Sequence, residues 1–396
     1  MVIAPLHPET RSQAAIDLVF NSLQYERLSD LSPILKQVAE AVDAFGAVLW
    51  QVQPDSLGSP KGMQPQLFVL GQWFADENHV HSVYRLPLEA SKTGKAILTG
   101  EPQTVDDPDK DPDVFPDHPH LTRAGIRTIC VLPTRFPDGS RGALNAYRKN
   151  LEPFGEQDVE ELSQLASIVP RLYQGLADRV SGELVTKISS ALPSSGPGPS
   201  VSFGDLTPAL TRICDPVRET LECVDASIYL EREPGLYHLI GLSNGKLGGL
   251  ARRLSQSSAG LSTWPIQNRR PLRLFDLAGL DRVRDAVRKE YPDLTWPEAP
   301  ELVAAVQTKQ MGPDSKVRVP VSYIAVPILR GERAVGAMQC VSALKGPSYF
   351  SEFDVKLLEL VSNLVGAYWS NWLDRQESEA ENASWRALVA GIDGLN

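Results

Sequence analysis

The sequence is poor in cysteine: it has four among 396 residues, and no two of them form a C-x-x-C pair. This scatter argues against a zinc ribbon and against a disulfide framework, because both need grouped cysteines. Cys130 and Cys340 lie in apolar runs, where a small buried thiol is the usual outcome. We expect both thiols to be buried, in a protein that resides in the reducing cytoplasm.

The chain also lacks an excess of positive charge. Its 39 Lys and Arg residues are outnumbered by 49 Asp and Glu residues, which gives a net charge of −10. Binding to a nucleic acid backbone needs a basic surface, because much of the affinity comes from displaced counterions. The composition therefore argues against a nucleic acid partner.

Long apolar runs are absent as well. No stretch approaches the roughly 18 apolar residues that suggest a membrane-spanning helix. The first residues, MVIAPLHPETRSQ, have neither the basic nor the apolar part of a secretion signal. We therefore expect no direct membrane insertion.

Catalytic motifs are missing too. The segment Ser91–Ile97 reads SKTGKAI, but a phosphate-binding loop needs Gly at position 89 and Ser or Thr at position 96. The chain has Glu89 and Ala96 there. Signatures of α/β-hydrolases, zinc proteases and protein kinases are also absent from the sequence. These absences predict a protein that is not an enzyme.

What the sequence does contain is a repeat. Residues of the same type recur at a spacing of 194 or 196 positions along the chain. The matched pairs are Pro133 with Pro327, Gly142 with Gly336, Phe154 with Phe350, Asp158 with Asp354 and Leu162 with Leu358. Further upstream, we match Gly94 with Gly260 and Pro102 with Pro271. Such a repeat predicts one fold built twice, and 396 residues suit two domains.

Local patterns predict the elements of the first copy. We predict strands over 45–52 and 65–74, a short helix over 89–99 and a hairpin whose turn is 137–140. A long helix is predicted from Glu156, with apolar residues at steps of three and four. We expect Pro170 to kink this helix and Pro216 to interrupt a helix at 204–222 in the second copy.

The order of these motifs resembles a GAF domain. The residues that carry the resemblance read S-x-x-G-x-A, P-x-x-V-x-D, an acidic loop, GI-R-T-x-x-V-x-P, G-x-L-x-x-Y and F-x-x-x-D-x-x-x-L. The likeness covers about residues 30–175 and 205–370. It implies an α+β fold of two GAF-like (profilin/PAS-like) domains, each with an antiparallel sheet of about six strands. In this family the first and last helices pack on one face of the sheet, and a ligand pocket lies on the other.

The resemblance and the composition together divide the chain. We predict an N-terminal helix in residues 1–28 and a first GAF-like domain over 29–176. A connecting helix and a Pro/Gly/Ser linker follow over 177–203, because the segment PSSGPGPS is not expected to pack. A second GAF-like domain spans 204–373, and a C-terminal signalling-type helix spans 374–396.

Candidate ligand-binding residues follow from where the family lines its pocket. They are Ser91, Asp106, His118 and Arg127 in the first copy and Trp264 and Asp276 in the second. The Arg127 guanidinium could bind a carboxylate or a phosphate. Alternatively, Arg127 and Asp106 neutralise each other at the end of the sheet, and Trp264 is a core aromatic residue.

Known ligand classes of the family find little support. The Asn-Lys-Phe-Asp-Glu constellation of cyclic-nucleotide binders has no counterpart, and the acidic loop lacks the Cys that attaches a bilin. Cys130 is isolated, whereas a GAF-type free methionine sulfoxide reductase needs grouped reactive cysteines. Four histidines could suggest a metal or haem site, but solvent-exposed loop positions explain them better. They are His79, His81, His118 and His120. The cofactor therefore stays unidentified.

Function is inferred from the resemblance as a whole. We predict a non-enzymatic regulatory pair of domains that binds a small molecule or a partner and relays the signal through its helices. The resemblance implies a homodimer, and the amphipathic spacing after Trp385 suggests an output domain that follows the chain or binds in trans. The alternative is a structural scaffold for protein interaction whose pockets bind no ligand.

Overall fold

The chain folds into two compact units, residues Met1–Ser181 and Gly182–Asn396. The computed structural model describes residues 18, 25, 27–28, 31–53, 66–76, 85–107, 111, 125–192, 206–243, 253–255, 260–274, 321–343 and 350–393. Most of the predicted helix of residues 1–28 and the linker at 193–200 lie outside the described residues.

The first unit is built on a six-stranded antiparallel sheet with the order β3-β2-β1-β6-β5-β4. Its strands are β1 (Gly46–Gln53), β2 (Gln66–Phe74), β3 (Arg85–Pro87), β4 (Gln103–Val105), β5 (Thr128–Arg135) and β6 (Arg141–Arg148). Its helices are α1 (Leu31–Ala41), α2 (Lys92–Thr99) and α3 (Glu156–Ala191). The predicted strands, short helix, hairpin and long helix of this copy are confirmed.

The second unit repeats this plan. Its six-stranded antiparallel sheet has the order β9-β8-β7-β12-β11-β10, which is the same connectivity. Its strands are β7 (Cys223–Glu233), β8 (Leu236–Leu242), β9 (Arg253–Ser255), β10 (Leu272–Leu274), β11 (Tyr323–Arg330) and β12 (Arg333–Ala343). Its helices are α4 (Thr207–Thr220), α5 (Thr263–Asn268) and α6 (Glu352–Asp393). The predicted α+β fold, built twice, is confirmed.

Each sheet is covered on both faces. In the first unit, α1 and α3 pack on one face, which we call the long-helix face, through a cluster that includes Val38, Leu144 and Leu165. Helix α2 packs on the opposite, short-helix face, where Val48 and Val131 belong to a separate apolar cluster. Since successive strand residues point to opposite faces, every strand of the sheet's centre contributes to both clusters.

The repeated glycines of the two hairpins are explained by close strand contacts. A Cβ atom on Gly142 would lie 2.2 Å from the Trp50 carbonyl oxygen, and one on Gly336 would lie 2.1 Å from that of Tyr229. No larger residue fits at these positions without moving backbone. The two glycines therefore recur 194 residues apart because both hairpins have the same packing requirement.

The repeated aspartates cap the long helices. Asp158 Oδ2 accepts from the Gly155 N–H at 3.1 Å, and Asp354 Oδ2 accepts from the Ser351 N–H at 2.6 Å. Both carboxylates thus satisfy N–H groups at a helix N-terminus, which also favours negative charge. In the first unit, the buried Arg148 also pairs with Asp158 at 3.1 Å. These residues serve the frame of the fold.

The two helix-internal prolines are accommodated without a break. Pro170 lies within the continuous helix α3, although its missing N–H leaves the Ala166 carbonyl without its usual partner. The Thr134 hydroxyl of β5 donates to that carbonyl instead. Helix α4 likewise continues through Pro216, so the predicted interruption is wrong. Because Pro216 has no N–H, the carbonyl of Arg212 lacks its usual helical hydrogen-bond donor. Arg212 is exposed, so water can donate to this carbonyl instead.

Candidate functional site

The short helix α2 has well-defined ends. The Ser91 hydroxyl accepts from the Gly94 N–H at 3.0 Å, and Ser91 itself is extended, with φ −146° and ψ 157°. At the other end, Gly100 adopts φ +75°, a left-handed conformation suited to glycine, and its N–H donates to the Ala96 carbonyl at 2.9 Å. Caps at both ends fix the position of this helix above the sheet.

The backbone of helix α2 also lies in close contact with the backbone of the preceding turn. A Cβ atom on Gly94 would lie 1.5 Å from the carbonyl oxygen of Leu88 in the 3₁₀ turn Leu88–Ala90. Only glycine allows this approach. It holds the neighbouring Thr93, which is fully buried, against the short-helix face of the sheet.

A group of hydrogen-bonded side chains lies beneath α2, and we call it the first polar cluster: Thr93, Asn145 and Tyr147. The Asn145 amide donates to Thr93 Oγ1 at 3.0 Å and to the Tyr147 hydroxyl at 3.0 Å. All three residues are fully buried. Burial raises the pKa of the Tyr147 phenol far above its usual value, and the hydrogen bond from Asn145 opposes this rise. The cluster is therefore uncharged.

Two amide oxygens on this face have unmet hydrogen-bonding capacity. Asn145 Oδ1 and Gln72 Oε1 are both buried, and neither accepts a hydrogen bond from any residue of the described ranges. Val48 of β1 pairs with Gln72 of β2 on one side and with Asn145 of β6 on the other. The two amides therefore lie in one row across the short-helix face. An unsatisfied buried acceptor costs about 1–3 kcal/mol, so each such group calls for an explanation.

The second unit has a corresponding group beneath α5. We call it the second polar cluster: Ser262, Tyr323 and Gln339. The Ser262 hydroxyl donates to Gln339 Oε1 at 2.5 Å, and the Tyr323 hydroxyl donates to the same oxygen at 2.6 Å. Burial also raises the pKa of Tyr323, against the hydrogen bond with Ser262. Here the amide oxygen is satisfied within the protein.

The two clusters occupy equivalent positions. Asn145 pairs with Val131 and Gln339 pairs with Ala325, so both the amides and their strand partners are 194 residues apart. Helices α2 and α5 end on left-handed residues, Gly100 and Arg269, which are 169 apart and each followed two residues later by proline. The same offset places Thr93 opposite Ser262. It also places Gly94 opposite Thr263, so the match of Gly94 with Gly260 is wrong.

The rest of the row differs between the copies. We compare the residues that lie next to each amide across the neighbouring strands. Ser227 occupies the position that Val48 has in the first copy, and Leu242 occupies the position of Gln72. The second copy also buries the carboxylate of Asp225, which accepts a hydrogen bond from the Ser243 hydroxyl. The short-helix faces of the two units therefore have different chemistry.

The predicted site residues that the structure describes have different environments. Ser91 is the buried N-cap of α2, Asp106 is exposed, and Trp264 is a buried residue of α5. Arg127 forms an ion pair at 3.5 Å with Asp107. His118 and Asp276 lie outside the described residues, as do the other three histidines that were considered for a metal.

All four cysteines are free and buried, which confirms the expectation for Cys130 and Cys340. Cys130 belongs to the long-helix cluster, on the side of the sheet away from the polar cluster. Burial raises its pKa to about 12, with a smaller rise from Asp158 and an opposing effect of Arg148. Within the described ranges, no three His, Cys, Asp or Glu side chains are grouped to hold a metal ion.

The repeated sheets and the capped helices agree with known families. Two family models, each describing a GAF domain, match residues 29–169 and 205–369. The chain is a tandem GAF-domain protein. GAF domains are generally sensory or regulatory modules that bind small molecules. None of the proteins with curated functions matches this tandem GAF chain.

Solved structures similar to single GAF domains of this chain include three from bacteria. A free methionine-R-sulfoxide reductase from Neisseria meningitidis is 18% identical and covers 42% of this chain and 90% of its own, with a TM-score of 0.34. The GAF domain of an Acinetobacter phosphoenolpyruvate-protein phosphotransferase is 15% identical, covering 44% and 98%, with a TM-score of 0.34. The A. aeolicus nlh2 GAF domain is 12% identical, covering 49% and 98%, with a TM-score of 0.31.

One further property of the GAF protein concerns membranes. Within its described part, no helix has both the length and the apolar character to cross a bilayer.

Sequence reasoning missed the residues that make the two polar clusters. Asn145 and Gln339 are amides within otherwise apolar strands, GALNAY and GAMQCV. Their spacing is the same 194 residues that relates Pro133 to Pro327. A polar residue that recurs within a buried strand of a repeat could have been recognised as a candidate site.

Proposed function

We propose that this protein is a non-enzymatic regulatory module in which a small molecule binds on the short-helix face and the change is relayed through the long helices. One observation carries this proposal: the strands that bear the polar clusters also support the long helices on their opposite face. A displacement of these strands by a ligand therefore acts on the helix packing directly.

The coupling can be followed residue by residue in the first unit. Asn145 of β6 belongs to the polar cluster, while its neighbours Leu144 and Ala146 belong to the cluster that packs against α3. On the adjacent strand β5, the Thr134 hydroxyl donates to the Ala166 carbonyl of α3. A shift of β5 or β6 therefore changes contacts of α3.

The second unit has the same type of link. The buried Ser362 hydroxyl of α6 donates to the Pro327 carbonyl of β11 at 2.5 Å. Gly366, one turn further along α6, allows the helix to approach β11, because a Cβ atom there would lie 2.5 Å from the Leu329 carbonyl oxygen. Each long helix is thus attached to a strand that also carries residues of the short-helix face.

Helix α3 is suited to carry a signal along the chain. It is continuous over Glu156–Ala191, and the boundary between the two units, Ser181/Gly182, falls inside it. Residues on both sides of this boundary are buried, including Leu176 and Leu184. A change in the position or stability of α3 would therefore involve residues of both units.

The chemistry of the described residues supports a non-enzymatic role. The four thiols are buried, and burial raises the pKa of Cys130, Cys214 and Cys340. Protonated, inaccessible thiols are poor nucleophiles. The two polar clusters consist of hydroxyl and amide groups without a general base of suitable pKa.

The experiment combines native mass spectrometry of the purified full chain with hydrogen exchange. We expect a retained small molecule, and we expect its presence to slow exchange in β6, α2 and α3. The variant Thr134→Val should keep ligand binding but lose the effect on α3, whereas Thr134→Ser retains the hydroxyl and should behave as the wild type. Binding without any change in α3 exchange would contradict the relay.

A scaffold role is a second candidate function for the second copy. The oxygen of Gln339 already accepts hydrogen bonds from Ser262 and Tyr323, so this cluster is satisfied by the protein's own side chains. We expect exchange in β11 and β12 to be insensitive to small molecules retained by the chain. Ligand-dependent protection of these strands would contradict the scaffold role.

We further propose that the module acts as a homodimer in the cytoplasm and delivers its signal to an output domain or protein. Size-exclusion chromatography with light scattering on the full chain tests the first part. We expect a mass of twice 43.4 kDa. A monomer at every concentration up to the highest soluble one would contradict dimer formation.

A further inference from the structure

The short-helix face of the first unit has two buried amide oxygens to which none of the described residues donates a hydrogen bond. They are Asn145 Oδ1 and Gln72 Oε1. Asn145 is fully buried, and Gln72 is half-buried. Buried polar groups in folded proteins are nearly always paired with protein, water or ligand. Two unpaired acceptors on one face therefore indicate a bound molecule.

The arrangement of the two amides defines the length of that molecule. Both pair with Val48, from the two strands that flank β1. Adjacent strands are about 4.8 Å apart, so the backbones that carry the two amides are separated by roughly 10 Å. A small molecule that lies over Val48 can reach both side chains at once. Since Gln72 is the more exposed of the two, it marks the end nearer to solvent.

The orientation of Asn145 specifies what the molecule must supply. The amide nitrogen uses its two N–H groups to donate to Thr93 and Tyr147. The oxygen is therefore the group that remains for a ligand, and an amide oxygen accepts hydrogen bonds. Gln72 likewise presents an oxygen. The ligand must carry two donor groups, O–H or N–H, one towards each amide.

The surroundings specify that the molecule is uncharged. The short-helix cluster of this unit is apolar, and it includes Val48, Val69 and Val131. Two charged residues near α2 have partners, since Lys92 pairs with Asp111 at 2.9 Å and Arg127 pairs with Asp107 at 3.5 Å. An ion buried against such a surface would lose its hydration without gaining a counter-charge.

The second unit lacks this arrangement. Its amide oxygen, Gln339 Oε1, accepts from two hydroxyls of the protein, and the position of Gln72 is taken by Leu242. The open acceptors are therefore a property of the first copy and not of the shared fold.

We propose that the first GAF domain binds a small uncharged molecule with an apolar body and two hydrogen-bond donors, held between Asn145 and Gln72. This inference deepens the proposed function and rests on it. It assigns the binding role to the first copy, and it assigns the ligand to the class of neutral compounds with a donor at each end.

The test uses three probes that differ in their number of donors: hydroquinone, 4-methoxyphenol and 1,4-dimethoxybenzene. They carry two, one and no O–H groups on the same ring. Affinity for the full chain is measured by isothermal titration calorimetry in anaerobic buffer. We expect affinity to fall about tenfold with each donor removed, which is the size of one hydrogen bond of about 1.4 kcal/mol.

Protein variants locate the two donors. Asn145→Leu and Gln72→Leu should each weaken hydroquinone about tenfold and leave 1,4-dimethoxybenzene unchanged. Gln72 is half-buried, so its variant should fold even if the Asn145 variant does not. Gln164→Leu, on the exposed side of α3, makes the same kind of change away from the site and should leave binding unchanged.

Three results would overturn the inference: no binding of hydroquinone at millimolar concentration, binding that ignores the Gln72→Leu change, or a crystal structure with only ordered water on both amides. If hydroquinone fails while native mass spectrometry still finds a retained molecule and α3 responds to it, the ligand class is wrong and the proposed function stands. If no molecule is retained and no probe changes the exchange of α3, both fail.

Discussion

Replacing Gly94 by alanine should destabilise the first unit strongly, although alanine is the better helix former. Gly94 lies in the first turn of α2, and an added Cβ would lie 1.5 Å from the Leu88 carbonyl oxygen and 2.5 Å from its carbon. Both atoms belong to backbone, so no side-chain rotation relieves the overlap. The control is the same substitution at a glycine with more space, Gly260→Ala in the second copy, where the nearest described atom, Thr263 Oγ1, is 3.7 Å away.

The size of the effect follows from the displacement that Gly94→Ala forces. Real Cβ contacts are essentially never shorter than 3.0 Å, so α2 and the turn must separate by about 1.5 Å. That movement breaks the 3.0 Å hydrogen bond between Thr93 and Asn145. Strain of about 1–3 kcal/mol and a lost buried hydrogen bond of about 1–3 kcal/mol oppose a gain in helix propensity of about 1 kcal/mol. The expected net loss is about 3 kcal/mol.

Hydrogen exchange resolved by mass spectrometry is the suitable assay, because a two-unit protein does not unfold in one step. Peptides from β1, β5 and β6 report on the first unit, and peptides from β7, β11 and β12 report on the second. A loss of about 3 kcal/mol accelerates exchange in the first unit by about 100-fold when exchange follows opening equilibria. The second unit should be unaffected.

Gly260→Ala should change exchange in either unit by less than about threefold, because Gly260 is only partly buried and a substitution there without a clash should cost no more than about 0.5 kcal/mol. Two results would refute this account of α2. One is a Gly94→Ala variant whose first unit exchanges as slowly as that of the wild type. The other is an equal acceleration in both units, which would show that the effect is not local.

Three further substitutions or reactions test other parts of the structure. Arg148→Met should destabilise the first unit by about 3 kcal/mol, because Asp158 loses its buried partner, and exchange that changes equally in the second unit would contradict this. Burial raises the pKa of Glu359 against an opposing effect of Lys356, and Glu352 adds a smaller rise, so the fold favours the protonated form and stability is lost as pH rises through that pKa. Glu359→Gln should therefore raise the thermal midpoint at pH 7.5 and match the wild type near pH 3.5. A variant that matches the wild type at pH 7.5 and is more stable near pH 3.5 would contradict the buried environment of Glu359. Cys130 should react with iodoacetamide at pH 8 only after unfolding, and labelling of the native protein at the rate of a free thiol would contradict its burial.

The frame of the fold was predictable from the sequence because its determinants are local and repeated. At Gly142 and Gly336, an added Cβ would lie within 2.2 Å of a carbonyl oxygen of the neighbouring strand. Asp158 and Asp354 cap the long helices. Each of these residues performs its role through its immediate neighbours. Their recurrence at nearly constant spacing was therefore enough to predict two sheets of the same topology.

The short helices were harder to align for a physical reason. Helix α2 has eight residues and a serine N-cap that accepts a hydrogen bond, while α5 has six residues and no such side-chain cap. The similar letters SKTG and SSAG therefore do not mark equivalent positions. The true correspondence, set by the C-caps, depends on helix length and packing, which the sequence alone does not reveal.

The candidate site was the least predictable part, because it depends on which hydrogen bonds are left unmade. The sequence shows that strand β6 contains an asparagine, but it does not show that both N–H groups of Asn145 are used within the protein while the oxygen is left open. Likewise, nothing in the sequence places Gln72 in the same row. Which hydrogen bonds are left unmade can be determined only when the register of the strands is known.

The two copies therefore share what the fold requires and differ where a ligand would lie. A change at Gly142 or Asp158 would cost stability in any environment, so these positions tolerate little variation. The residues beneath the short helices face fewer constraints, provided that each buried polar group finds a partner. In the second copy, Gln339 finds its partners in two hydroxyls of the protein. In the first copy, Asn145 and Gln72 do not, which is why the binding role is assigned there.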